Sequence, residues 1–205
     1  MYQFVIFDMD GTLVQSEDCA SQAIVDVASS FTDDIADVSR RYRGKRLLDI
    51  FNDIEIRYPG SVPEDWLGRY RHRENELSHR LITASHGAEE LLREMSLERC
   101  IASNAPNEKT RRSLAITGLS GYFLDNIYSA YEVDAWKPDP KLFLHAADCH
   151  GIEPEACLVV EDSEVGVAAA IAAGMSVVHY DPEAAESFQS TYRAQSLTQV
   201  MDLLV

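Results

Sequence analysis

Positive charge is what this chain has little of: 18 Lys and Arg stand against 34 Asp and Glu, a formal net charge of −16 at pH 7. Nucleic acid and anionic membranes need a positive field on their partner, so neither is an expected partner here. Long apolar runs are also missing, and none approaches the roughly 20 residues of a bilayer span. No basic region leads into a signal-like segment after Met1, so the expected address is cytoplasmic. Cysteine is sparse. Cys19, Cys100, Cys149 and Cys157 show no Cys-x-x-Cys spacing and are expected to be small buried hydrophobes of a reducing compartment. The 205 residues suit one sizeable domain, or one carrying an insertion, and contain no internal repeat or low-complexity tract.

Against that background one stretch stands out, Phe4-Val5-Ile6-Phe7-Asp8-Met9-Asp10-Gly11-Thr12. A short β-branched and aromatic run reads as a strand buried on both faces, as in a parallel sheet. It runs straight into two carboxylates, a glycine and a hydroxyl. Ligands of open α/β sheets bind at the carboxyl ends of strands, where Asp8 and Asp10 would emerge. A calcium loop is excluded, because the third ligand before the glycine and the Glu at the twelfth position are absent.

Further along, Ser16 is a candidate N-cap for a helix over 17–30, with Glu17 and Asp18 favourable in its first turn. Residues 33–83 show helical spacing and almost no strand signal, with helices expected over 46–56 and 63–81. Ten of the 18 basic residues fall between 15 and 83, five of them within 40–46, a segment suited to a small anion. From residue 86 helices (88–95, 107–116, 138–150, 165–173) alternate with strands near 99–103, 126–130, 157–160 and 176–180. That alternation predicts parallel β/α units joined by right-handed crossovers.

Strand ends then share a pattern. Asp8 and Asp10 close the first, Ser103 and Asn104 the second, Glu161 and Asp162 a later one, and Lys137 precedes a proline-started helix. Parallel strands put their carboxyl ends on one edge, so these distant residues can converge. Taken singly, each has a plainer reading: a solvated lysine, a turn, a helix N-terminus. Together they suit magnesium-assisted phosphoryl transfer, since magnesium takes one or two carboxylates and completes its shell with water and phosphate. A carboxylate attacking a phosphate ester meets repulsion of about 4 kcal/mol per unit-charge pair at about 4 Å and an effective dielectric of about 20. A metal and a lysine offset it. A second acid is needed to protonate the leaving oxygen and later activate water.

Those four segments resemble the motifs of the haloacid dehalogenase superfamily: Asp8-Met9-Asp10-Gly11-Thr12, Ser103-Asn104, Lys137-Pro138-Asp139-Pro140, and Glu161-Asp162-Ser163 followed by Gly166. The resemblance covers nearly the whole chain. It implies an α/β fold, a doubly wound parallel-sheet, Rossmann-like core of residues 1–14 and 84–205 with an inserted α-helical cap domain at 15–83. It also implies Asp8 as nucleophile, Asp10 as general acid/base, Lys137 as charge clamp, and Thr12, Ser103 and Asn104 as substrate contacts. Mg2+ would be held by the Asp8 side chain, the Asp10 backbone carbonyl and Asp162, with Glu161 a nearer or water-mediated partner.

Within the superfamily the dehalogenases lack the second aspartate. Sugar phosphomutases typically carry a histidine on the first cap helix, and residues 17–23 have none, which favours hydrolysis. Phosphonate-cleaving relatives use a cap lysine, and Lys45 is the only lysine between 15 and 83. The segments 42–46, 103–109 and 135–140 most resemble bacterial phosphatases of 6-phosphogluconate. The expected partner is therefore a small phosphate ester, a sugar or sugar-acid phosphate. Arg43, Lys45 or Arg46 would read its far end, because arginine forks match carboxylates. A phosphomutase, or a non-catalytic binding protein on the same fold, remains open, and a monomer or weak homodimer is expected. Gln15 departs from the acid often found at that place, so the hydrogen bonding of the cap hinge is expected to differ.

Overall fold

The structure is a computed structural model describing residues 2–185 and 188–204. In chain order its strands are β1 (Phe4–Phe7), β2 (Val14–Gln15), β3 (Thr83–Ala84), β4 (Glu98–Ser103), β5 (Ile127–Ser129), β6 (Cys157–Glu161), β7 (Ser176–Tyr180) and β8 (Tyr192–Ala194). The α-helices are α1 (Glu17–Val27), α2 (Ile35–Tyr42), α3 (Leu47–Arg57), α4 (Trp66–Leu81), α5 (Ala88–Glu94), α6 (Asn107–Thr117), α7 (Ala130–Val133), α8 (Lys141–Cys149) and α9 (Glu164–Ala172).

Six strands form one parallel sheet in the order β5-β4-β1-β6-β7-β8. β1 is central, and alternate residues serve opposite faces. Val5 and Phe7 join the cluster that holds Leu91 of α5 and Leu114 of α6, while Phe4 and Ile6 join the one that holds Phe143 of α8 and Val167 of α9. β6 divides the same way, Leu158 and Val160 against Cys157 and Val159. Both faces are covered, which is why these strands read as unbroken apolar runs. Full burial of each large side chain contributes roughly 1.5–3 kcal/mol.

Helices α1–α4 leave and rejoin the chain through β2 and β3, a two-stranded antiparallel ladder pairing Val14 with Ala84 and Gln15 with Thr83. Gln15 Nε2 donates to Ser85 Oγ at 2.7 Å, so this residue ties the outgoing strand to the returning chain. On the insert's far side Phe51 stacks on Trp66 with ring centroids 4.3 Å apart, joining α3 to α4.

Two expectations need correction, and one strand lay outside them. Cys149 is exposed, because it sits at the C-terminus of α8 on the face away from the sheet, whereas Cys19, Cys100 and Cys157 are buried. Ser16 occupies the N-cap of α1 but makes no capping bond; its hydroxyl donates to Asp10 Oδ1 instead. Strand β8 was not legible in the sequence, since only Ala194 of its three residues is buried and an edge strand carries a weak apolar signal.

Candidate active site

The carboxyl ends of β1, β4 and β6 lie side by side in the sheet and deliver the polar groups to one edge. Asp8 continues β1, its N–H donating to Val160 O at 2.9 Å. Lys137 reaches in from the segment before α8, only 5% exposed. Its Nζ donates to Asp8 Oδ1 at 2.5 Å and to Glu161 Oε2 at 2.7 Å, bridging β1 and β6. Burial opposes a charged ammonium, but the two carboxylates outweigh it and hold the Lys137 pKa above the usual lysine range. The Asp8 pKa is raised as well, from 3.8 to about 8, because here burial and then repulsion from Glu161 outweigh the attraction of Lys137.

Glu161 also shapes the start of α9. Its Oε1 accepts from Ser163 N at 3.0 Å and from Ser163 Oγ at 2.7 Å, and Ser163 Oγ caps the helix by accepting from Gly166 N at 3.2 Å. A Cβ on Gly166 would overlap the Glu161 carboxylate, so the glycine is what lets the helix approach so closely. Gly11 does the same for Asp162 in a φ of +86°, where a Cβ would come within 2.7 Å of the Asp162 carboxyl carbon.

Asp162 is the acid least provided for. Its Oδ1 accepts from Thr12 Oγ1 at 3.1 Å, and Arg43 Nε lies 3.8 Å from its Oδ2. Burial, then Glu161, Asp8 and Glu17, push its pKa well above the usual carboxylate range. Oxygen atoms of Asp8, Glu161 and Asp162 all lie within 4.8 Å of one another. Lys137 and the more distant Arg43 stand against three buried acids, so the donor set fits a hard divalent cation bound through oxygen.

Asp10 is held differently. Lys109 Nζ donates to its Oδ1 at 2.5 Å, and Ser16 Oγ bonds the same oxygen. Burial alone would raise the Asp10 pKa, but Lys109 and Ser16 hold it below the usual range. Neither partner was identified from the sequence. The signal available was Lys109 one turn into the helix after Ser103-Asn104, and it becomes meaningful only when α6 is seen to aim that turn at β1.

Asn104 is a junction: Oδ1 accepts from Lys137 N at 2.9 Å, and Nδ2 donates to Gly44 O at 3.1 Å, joining β4, the lysine segment and the helical insert. Ser103 Oγ accepts from Ala105 N at 3.1 Å. A cavity of about 440 Å³ is lined by Asp8, Asp10, Ser103, Asn104, Lys137 and Asp162 from the strand edge and by Arg43 and Lys45 from the insert. Thr12, Glu161 and Arg46 are not on its wall. Thr12 supports Asp162, and the Arg46 guanidinium lies 3.8 Å above the Trp136 ring.

Acids and a buried lysine converge on the carboxyl edge of a parallel α/β sheet, and the family model for haloacid dehalogenase-like hydrolases matches residues 2–174. The chain belongs to that family. It is 34% identical over 179 residues to the 6-phosphogluconate phosphatase of Escherichia coli, covering 86% of this chain and 81% of that protein. Hexitol phosphatase B of the same organism is 32% identical over 190 residues, covering 87% of this chain and 84% of that one. Among solved structures, a haloacid dehalogenase family hydrolase of Deinococcus radiodurans with bound phosphate and sodium superposes with a TM-score of 0.79 at 27% identity, covering 99% of this chain and 95% of that one. No helix among the described residues is long and apolar enough to cross a membrane.

Proposed function

We propose that this hydrolase is a Mg2+-dependent phosphatase of small phosphorylated sugars or sugar acids, such as 6-phosphogluconate, working through an aspartyl phosphate. The observation that carries the reading is the Lys137 bridge between Asp8 and Glu161, with Asp10 and Asp162 on the same cavity. The matched relatives, themselves phosphatases of 6-phosphogluconate and of a hexitol phosphate by name, supply the substrate class.

Asp8 is the nucleophile. Lys137 engages its Oδ1, which leaves Oδ2 to attack phosphorus. As that bond forms, the ester P–O bond breaks and the leaving alkoxide takes a proton from Asp10. Water then attacks the aspartyl phosphate, giving its proton to Asp10, and inorganic phosphate and the Asp8 carboxylate are released. Lys109 engages Asp10 Oδ1 and holds its pKa down, so easing that contact favours the protonated form that donates to the leaving group. Ser103 and Asn104 orient the phosphoryl oxygens. Asp8 and Asp162 side chains and the Asp10 carbonyl would hold Mg2+, which supplies charge neutralisation for the transferring group when bound. Glu161 acts through Lys137 and the start of α9.

The segment 15–83 serves as the cap, hinged at β2 and β3 and carrying the wall that Arg43 and Lys45 contribute. A panel of phosphorylated metabolites assayed with Mg2+ by phosphate release and ranked by kcat/KM tests the reading. Glucose 1-phosphate is included and followed for isomerisation, which would instead mark a mutase. Failure to release phosphate from any ester, an aryl phosphate included, rules the proposal out.

A further inference from the structure

A second ionic cluster faces the same cavity from the seam between α4 and α6. Glu74 on α4 is 3% exposed, and its Oε2 accepts a charge-assisted bond from Arg112 Nη2 on α6. The pair is incomplete. Glu74 Oε1 and Arg112 Nε are both buried and have no hydrogen-bond partner, yet both residues line the cavity. Buried charged groups left unsatisfied are costly and uncommon, which marks such atoms as candidates for a ligand contact.

What remains over is one carboxylate oxygen and one N–H donor of a bonded pair. A hydroxyl answers both, its O–H donating to Oε1 while its lone pair accepts from Nε–H. A carboxylate or phosphate could answer only the donor and would meet repulsion from Glu74. The position along the cavity follows from α6: Lys109, bonded to Asp10, precedes Arg112 by one turn, a rise of about 4.5 Å at about 1.5 Å per residue. That is the span of a few sugar carbons from the reacting end.

Resting on the phosphatase reading above, we propose that Glu74 and Arg112 form a hydroxyl-reading subsite for the non-phosphorylated part of the substrate. It selects polyol and neutral sugar phosphates over esters that lack a hydroxyl, or carry a carboxylate, at that point. Because Glu74 belongs to the helical insert and Arg112 to the sheet-bearing part of the chain, the subsite is complete only when the two are together. It therefore ties recognition of the hydroxyl to the closed arrangement.

The test measures kcat/KM with Mg2+ for sorbitol 6-phosphate, for n-hexyl phosphate (the same chain length without hydroxyls) and for p-nitrophenyl phosphate. Wild-type protein is compared with Glu74→Gln and Arg112→Lys, each checked by thermal melting. Wild type should prefer sorbitol 6-phosphate to n-hexyl phosphate by at least about tenfold, as expected for a hydrogen bond to a charged group. In either folded variant the ratio of sorbitol 6-phosphate to p-nitrophenyl phosphate should fall about tenfold. An unchanged ratio in the folded variants, or a wild type indifferent between sorbitol and hexyl esters, overturns the subsite alone. No turnover of any of the three esters overturns the phosphatase reading and the subsite with it.

Discussion

Two clusters of charge meet the cavity, and they are built to different standards. At the strand edge, Lys137 is bonded to Asp8 and Glu161 with side chains between 1% and 10% exposed; the two acids are fixed by the ends of β1 and β6, and the lysine backbone by Asn104. On the insert side, Arg43 and Glu17 pair at 3.0 Å with side chains 31% and 22% exposed, and Arg46 rests on Trp136. Ion pairs of the second kind contribute little net stability, typically about 0–1 kcal/mol, whereas breaking one of the first kind leaves an uncompensated buried charge. The contrast teaches a division of labour. The acids proposed to react sit at the ends of hydrogen-bonded strands, whereas Arg43 and Arg46 come from a segment whose exposed links are individually weak enough to exchange.

The sharpest way to break that contrast is Asp8→Asn, which keeps the shape and removes the proposed nucleophile. It should lower kcat by roughly 10⁴-fold or more while thermal melting stays cooperative. Next comes Lys137→Met. With its ammonium gone, Asp8 and Glu161 face each other unpaired, and urea unfolding at pH 8 should show a loss of about 3–5 kcal/mol. A loss under 1 kcal/mol would mean that the two clusters are not energetically distinct.

Metal removal comes third. The folded Asp8 pKa is raised from 3.8 to about 8 by burial and by Glu161. Between those two pH values the folded metal-free protein holds a proton that the unfolded chain has lost, so its stability falls as pH rises through the window and levels off above about 8. Mg2+ offsets the exposed repulsion, so the rise in Tm on adding it should be larger at pH 8 than at pH 5. A shift that is equal at both, or larger at pH 5, contradicts the assignment of the acids as its ligands.

The smallest effect belongs to Arg46→Ala. Losing the stacking on Trp136 should cost about 0.5–1 kcal/mol, seen as a few-fold rise in KM with kcat nearly kept and a change in tryptophan fluorescence. The preference between 6-phosphogluconate and glucose 6-phosphate should hardly move, because Arg46 is off the cavity wall. A tenfold change in that preference would return Arg46 to the binding surface.

Much of the polar carboxyl edge of the sheet was legible because strand ends are local signals. The run Phe4–Phe7, buried throughout, states its own burial, and the polar residues that follow it have nowhere to go but the sheet edge. Lys109, Ser16, Glu74 and Arg112 were not legible. Each sits in a helix or at its cap with an ordinary amphipathic or capping reading, and each acquires a role only through a partner between 6 and 99 residues away. Glu74 is the clearest case: a helical glutamate flanked by Arg73 and Asn75 reads as solvated until α6 is packed across it.

Chain chemistry alone thus determined the parallel core, the helical character of residues 33–83 and the acids and lysine available for reaction, since periodicity and strand-end polarity are properties of short stretches. Tertiary structure decided which charges are paired. It took Ser16 from its helix to Asp10, set Thr12 against Asp162, put Arg46 on Trp136 and left one oxygen of Glu74 and one nitrogen of Arg112 waiting. The reason is physical: a buried charge takes whichever partner the packing brings within about 3 Å, and that proximity is written in no local pattern.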